Sequence, residues 1–288
     1  MIPWIAAARP ATLPAAVVPV VVGTAVAGHA GTVRVLTFVA ALAAAVLIQV
    51  GTNYANDVFD YRSSADTEQR LGPRRLIQSG LASPAQVMAA AFLTFGLAAL
   101  IGLYLVWIGG WPILAIGTLC ILAGVAYTGG PWPFGYRGLG DVVCFVFFGL
   151  VAVVGTAYLH LGTTTRLAWI AAIPVGLLVT NILVVNNLRD IDTDRAVGKN
   201  TLAVRLGPGA TRLQYVLSLI GAFLVPLLLV LTGEVGWLFW LPWLTWPLAL
   251  RLARDIVSLE GPALNRVLKR SGQLHLAFGL LFAASLWL

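Results

Sequence analysis

Residues 36–60 read LTFVAALAAAVLIQVGTNYANDVFD. No charged residue stands between Arg34 and Asp57, and about 20 mostly apolar residues are what a helix needs to cross the hydrocarbon of a bilayer. The run then closes on Gln49, Asn53, Asn56, Asp57 and Asp60. From Asn53 the spacing is i, i+3, i+4, i+7, which puts the four on one helical face, with Gln49 one turn deeper. Polar side chains in a membrane helix are costly and face a cavity or the bundle interior. The stretch predicts a spanning helix with a polar site at one end.

The rest of the chain agrees. Of 288 residues, 59% are hydrophobic and 10% charged, against roughly 25% charged in soluble domains, and the mean hydropathy is +0.91. A soluble fold of this size has too much surface to hide so much apolar area. Disorder, collagen and disulfide scaffolds are excluded by high hydrophobicity, the lack of a glycine period and only two cysteines, Cys120 and Cys144, both in apolar runs. What is left is an all-α integral membrane protein, one polytopic domain over residues 1–288. Nine spans are expected, at 12–30, 36–57, 85–107, 111–128, 140–160, 167–187, 212–232, 235–253 and 272–288. The N-terminal stretch is read as an uncleaved first span.

Charge orients the bundle. With the N-terminus inside, Arg34 and Arg166 are the only two of the 18 Lys and Arg that fall outside. That asymmetry fits the positive-inside rule with an odd number of spans, so the C-terminus is expected outside. Of the 11 Asp and Glu only Glu234 falls outside, and most of the others crowd into two inner runs. The second and sixth spans, four apart, both end in Asn followed by Asp. This weak repeat suggests two four-helix halves plus a ninth helix, with a polar site between the halves on the cytoplasmic side.

The second run lies in NNLRDIDTDRAVGK, from Asn186 to Lys199. Asn187, Asp190 and Asp194 are spaced i, i+3, i+7, again one face if the helix continues. Asp192 is turned about 200° away from Asp190. Asp66 and Glu68 come just after the first run. Carboxylates drawn together either raise their pKa values or take up cations. Every candidate ligand is a carboxylate or amide oxygen, which favours Mg²⁺, with Mn²⁺ or Ca²⁺ as alternatives. Arg74, Arg75, Arg137, Arg189 and Lys199 share that side. Their plain reading is headgroup anchoring. Beside Mg²⁺-binding carboxylates they also describe a diphosphate site. Proton relay or cation transport is the competing class. It expects an acid path to the outer face, whereas the polar stripe stops about two turns in from Asn56.

At these residues the sequence resembles the UbiA superfamily of membrane prenyltransferases, and within it the MenA type, the 1,4-dihydroxy-2-naphthoate polyprenyltransferases. The resemblance rests on W-x₄-RPATLPA-x₃-PVVVG from Trp4 to Gly23, NDVFDY from Asn56 to Tyr61 with a third acid at Asp66, and NNLRDIDTDRAVGKNTLAVRLG from Asn186 to Gly207. GPRRL from Gly72 to Leu76 and YRGLGD from Tyr136 to Asp141 add to it. The common family pattern NDxxDxxxD places an acid where this chain has Ser64; the longer spacing to Asp66 looks MenA-like.

The resemblance implies transfer of a polyprenyl group from polyprenyl diphosphate to 1,4-dihydroxy-2-naphthoate in a bacterial plasma membrane, giving demethylmenaquinone after loss of diphosphate and CO₂. The lipid bilayer is a partner and nucleic acid is not. Asn56, Asp57, Asp60, Asp190 and Asp194 would hold two Mg²⁺ ions, with Asp66 completing or orienting the shell. Lys199 and Arg137, helped by Arg189 and Arg74, would stabilise the diphosphate. Asn53, Tyr54, Tyr127, Tyr136 and Asn187 would line the acceptor and tail pocket. The acidic motifs are equally compatible with 4-hydroxybenzoate, homogentisate, haem or a sugar phosphate as acceptor.

Overall fold

The computed structural model describes residues 3–63, 71, 75–233 and 236–288, the Trp237 side chain apart. Among them no strand occurs. A short helix, α1 (Pro3–Ala7), leads through a 3₁₀ turn (Pro10–Thr12) into α2 (Pro14–His29). Then come α3 (Val35–Arg62), α4 (Pro84–Gly109), α5 (Trp111–Ala126), α6 (Gly140–Leu161), α7 (Arg166–Arg189), the short α8 (Ile191–Ala196), α9 (Leu202–Leu231), α10 (Trp246–Ser258) and α11 (Leu264–Trp287).

Five of these, α3, α4, α6, α7 and α9, are long and apolar enough to cross a membrane among the described residues. The pair Pro3–Thr12 and Pro14–His29, bent by 50°, makes up to six. The nine expected spans are thus met only in part. α5 has 16 residues. Residues 237–245 are 3₁₀ rather than α-helical. The last helix begins at Leu264, a polar stretch ahead of the expected 272. The seventh begins at Leu202 and not at 212, because Thr201 caps it by accepting from the Val204 N–H (3.3 Å). It is interrupted at Gly207 (φ 78°), a conformation that glycine adopts without a Cβ penalty and that the following Pro208 tolerates.

Local signals explain the other ends. Ser83 and Gln86 form a capping box at α4, with Pro84 in the first turn. Thr165 caps α7 through the Ala168 N–H (3.2 Å). A seven-residue π-helical stretch, Phe145–Val151, widens α6.

α7 is the most enclosed span, buried over 72% of its apolar window. Lipid is as apolar as leucine, so close packing and interhelical hydrogen bonds hold such a bundle. α6 meets α7 at glycines: a Cβ on Gly149 would lie 2.6 Å from the Gly176 Cα. Asn181 of α7 donates to the Tyr215 carbonyl of α9 (3.1 Å), and the Tyr215 hydroxyl pairs with Ser271 of α11 (2.8 Å). Phe223 packs edge-on against Trp243, Trp246 and Phe278. Outside this core, Leu93, Leu100, Trp107 and Trp111 are exposed, the surface of a multi-pass membrane protein.

Candidate active site

α3 is helical as far as Arg62, so the first run keeps its expected face. Gln49, Asn53, Asn56, Asp57 and Asp60 all line one cavity of about 1240 Å³. Asp57 accepts from the Leu76 N–H (3.1 Å). The Asn56 side-chain oxygen accepts from Thr128 (2.7 Å), and its carbonyl accepts from Arg75 (2.8 Å). Asp60 is gripped by Arg75 (2.5 Å) and by the Tyr136 hydroxyl (2.7 Å). Asn53 donates to the Ala8 carbonyl (2.9 Å), which ties the N-terminal segment over α3. Tyr54 serves the same tie: its hydroxyl donates to the Trp4 carbonyl (3.1 Å) and its ring meets Trp4 edge-on.

The second run departs from the expected continuous face. α7 stops at Arg189, and Asp190 (φ −99°, ψ 11°) breaks the chain before α8. The break still buries Asp190 and Asp194, at 8% and 7% exposure, while the Asp192 side chain is 94% exposed beside Arg195. Arg189 clasps Asp190 with two bonds, Nε to Oδ1 (2.7 Å) and Nη2 to Oδ2 (2.5 Å). Its other amine reaches Asn265 of α11 (2.7 Å), and Asn186 completes the set (2.9 Å). After α8 a turn at Gly198 (φ 74°) folds the chain back, and Lys199 lies 3.2 Å from Asp194.

Tyr136 stands between the two runs. Its hydroxyl bonds Asp60, its carbonyl accepts from the Asn200 N–H (3.0 Å), and the Lys199 ammonium lies 5.5 Å over its ring. Burial raises the Tyr136 phenol, and the Asp60 charge beside it acts the same way. Burial also raises the Asp194 carboxyl, against the pull of Lys199; Asp190 and Asp60 add to the rise.

The other expected residues divide between the cavity and other places. Tyr127 lines the cavity, edge-on to Phe134. Asn187 instead donates to Asp141 (3.4 Å), which also accepts from Gln214 (2.8 Å). Arg137 is exposed, 5.2 Å over the Trp132 ring. Asp66 and Arg74 lie outside the described residues. Arg75 is the arginine that reaches Asp60, and adjacent arginines carry no spacing that would single one out. Thr128 and Asn265, which hold Asn56 and Arg189, come from distant segments and have no motif to mark them.

Among the described residues, no three His, Cys, Asp or Glu side chains stand close enough to hold a metal ion. Asp60, Asp190 and Asp194 are each balanced by a cation. The donor set nevertheless fits a hard divalent cation: carboxylate and amide oxygens, with Asp194 Oδ2 buried and lacking a hydrogen-bond partner.

The model of the UbiA prenyltransferase family matches residues 16–286. A 1,4-dihydroxy-2-naphthoate octaprenyltransferase of Mycobacterium tuberculosis is 40% identical, over 98% of this chain and 96% of that protein. The Escherichia coli protein of the same name is 38% identical, over 99% and 95%. A solved UbiA homologue from Aeropyrum pernix superposes with a TM-score of 0.70 at 18% identity, covering 95% of this chain and 96% of that one. One from Archaeoglobus fulgidus, bound to DMAPP and Mg²⁺, gives 0.68 at 12%, covering 99% of each. The family match, the two relatives and the shared fold span nearly the whole chain, and the chain belongs to the UbiA prenyltransferase family.

Proposed function

We propose that the protein transfers a polyprenyl group from polyprenyl diphosphate to 1,4-dihydroxy-2-naphthoate, releasing diphosphate and CO₂, in menaquinone biosynthesis. One observation carries this reading: Asp57, Asp60, Arg75, Arg189 and Lys199 gather at one end of a large cavity whose remaining wall is mostly apolar. The names of the relatives supply the acceptor. The charge asymmetry supports nine spans as two four-helix halves plus one, with the N-terminus and the site in the cytoplasm of a bacterial cell and the C-terminus outside.

Asn56, Asp57, Asp60, Asp190 and Asp194, with Asp66, would hold two Mg²⁺ ions, or Mn²⁺ in their place; when bound, these supply countercharge to the diphosphate leaving group. Lys199, Arg75 and Arg189 add positive charge at the same mouth, with Arg74 next to Arg75 in sequence. Arg137, over Trp132, stays at the rim. The C1–O bond of the allylic diphosphate breaks, its electron pair leaving with diphosphate. The ring carbon that bears the carboxylate bonds to C1. The bond to the carboxylate then returns its pair to the ring as CO₂ departs, so no added base is required at that carbon. Oxidation of the quinol afterwards yields demethylmenaquinone.

An allylic cation needs dry walls. Tyr127, Phe134, Phe147 and Phe148 line the cavity, and aromatic faces stabilise cations. The cavity runs along α3 from Asp60 back to Ala41, about 28 Å of helix, which accommodates an isoprenoid tail along its length. The test is direct. Membranes carrying the protein, given Mg²⁺, a polyprenyl diphosphate and the naphthoate, should form a prenylated quinol and CO₂, and chelation should stop both. Preference for 4-hydroxybenzoate in a competition assay would overturn the acceptor.

A further inference from the structure

A second polar layer lies just beyond the carboxylates, on the way into the apolar part of the cavity. α11 runs inward from the mouth and lines the cavity with Asn265, Lys269 and Gln273, spaced i, i+4, i+8 on one face. Asn265 fixes the level of the mouth, because it bonds Arg189, which clasps Asp190. Lys269 lies about 6 Å further along the helix and Gln273 about 12 Å. On the facing helix, Gln49 lies two turns deeper than Asn56. The N-terminal segment ties the two helices at one height. Its Ala8 carbonyl takes the Asn53 amide, and its Ala11 carbonyl packs on α11 so closely that a Cβ on Gly272 would come within 2.8 Å.

Lys269 differs from the cations of the mouth. Arg75, Arg189 and Lys199 pair with Asp60, Asp190 and Asp194. Lys269 makes no ion pair or hydrogen bond among the described residues, nor do the Gln49 and Gln273 amides. A lysine at a membrane surface commonly stretches toward headgroups. Here a cavity-lining glutamine stands one turn deeper on the same face, and the neighbouring Arg270 already turns away to Asp255 (3.5 Å). Lys269 and Gln273 are exposed within a cavity whose wall is mostly apolar, and an unpaired cation in such a setting is open to an anionic ligand.

We propose that Lys269 binds the carboxylate of the aromatic acceptor, with the Gln273 and Gln49 amides taking its ring hydroxyls; this rests on the functional reading above. The placement holds the ring between the diphosphate mouth and the tail channel, beside the reacting carbon. It also favours turnover. The acid enters with a charge for Lys269 to bind, and the quinol that leaves has lost that charge along with CO₂.

The experiment compares wild type, Lys269→Gln, Lys269→Arg and Gln273→Leu in nanodiscs of fixed lipid composition. It measures KM for each substrate, and binding of the naphthoate and of carboxylate-free 1,4-dihydroxynaphthalene without donor. Lys269→Gln should raise the acceptor KM about tenfold or more, as loss of a charge-assisted contact does, with the donor KM within about twofold. Lys269→Arg should restore most of the loss, and Gln273→Leu should raise the acceptor KM by less. Binding of the carboxylate-free diol should be the same in wild type and Lys269→Gln. An unchanged acceptor KM in an active Lys269→Gln protein overturns the assignment. So does an equal rise in the donor KM, which would mean a diphosphate contact, or a loss cured by adding anionic lipid, which would mean a headgroup contact. A wild type that is inactive on the naphthoate overturns the functional reading itself.

Discussion

Tyr136 binds Asp60 through its hydroxyl and the segment after Asp194 through its carbonyl, so one residue sets the spacing of the two acidic runs. Tyr136→Phe removes the hydroxyl's contacts, to Asp60 and to Ser63, and keeps the carbonyl's. The expected result is a Mg²⁺ requirement raised by a few-fold with the fold intact, read from Mg²⁺ titrations of turnover. Asp57→Ala and Asp190→Ala should each cost several orders of magnitude in kcat. The cations separate by placement. Lys199 lines the cavity beside Asp194, whereas Arg137 faces Trp132. Lys199→Gln should therefore lower kcat/KM by about 100-fold and Arg137→Gln by less than about threefold; equal losses would place Arg137 on the diphosphate after all. Residue types and spacing single out Asp57, Asp60, Asp190 and Asp194, and the structure buries all four. The same signals place Arg75 on the site's side without separating it from Arg74, and they carry no information on Thr128 or Asn265, because each acts across a tertiary contact that leaves no periodic trace in its own segment.

At the scale of elements, the two runs differ in how the backbone continues beyond them. α3 extends a full turn past Asn56, so an i, i+3, i+4, i+7 pattern maps onto one face. α7 ends at Arg189, and Asp190 and Asp194 converge through a backbone break and a turn at Gly198. A helical wheel does not represent such a break. Hydropathy finds the long apolar helices well. It misplaces α9 and α11, whose polar first turns lie ahead of their apolar runs. The π-helical part of α6 has no hydropathy signal either, yet it brings Gly149 against Gly176. Gly149→Val drives a side chain into that backbone and should cost about 1–3 kcal/mol, seen as a lower thermal midpoint in detergent. Gly96→Val, where a Cβ would meet nothing within 4 Å, is the control and should leave the midpoint unchanged.

For the whole molecule, charge balance at the mouth couples pH, metal and stability. Burial raises the Asp194 carboxyl above its value in the unfolded chain. A raised carboxyl favours the folded state while protonated, and that contribution is lost as pH climbs through the folded-state pKa. Lys199 offsets part of the loss and a bound divalent cation offsets more. Metal-free wild type should therefore lose thermal stability relative to metal-free Asp194→Asn as pH rises out of the acid range, and Mg²⁺ should close that difference increasingly over the same interval. Asp194→Asn removes the titrating group, so the gap between the metal-free and Mg²⁺-loaded melting curves should become less dependent on pH. Thermal melts with EDTA or Mg²⁺ across the pH series measure this without any turnover. Parallel curves for wild type and Asp194→Asn would mean that Asp194 lies outside the cation site, and that the site is built from α3 and Asp190 without it.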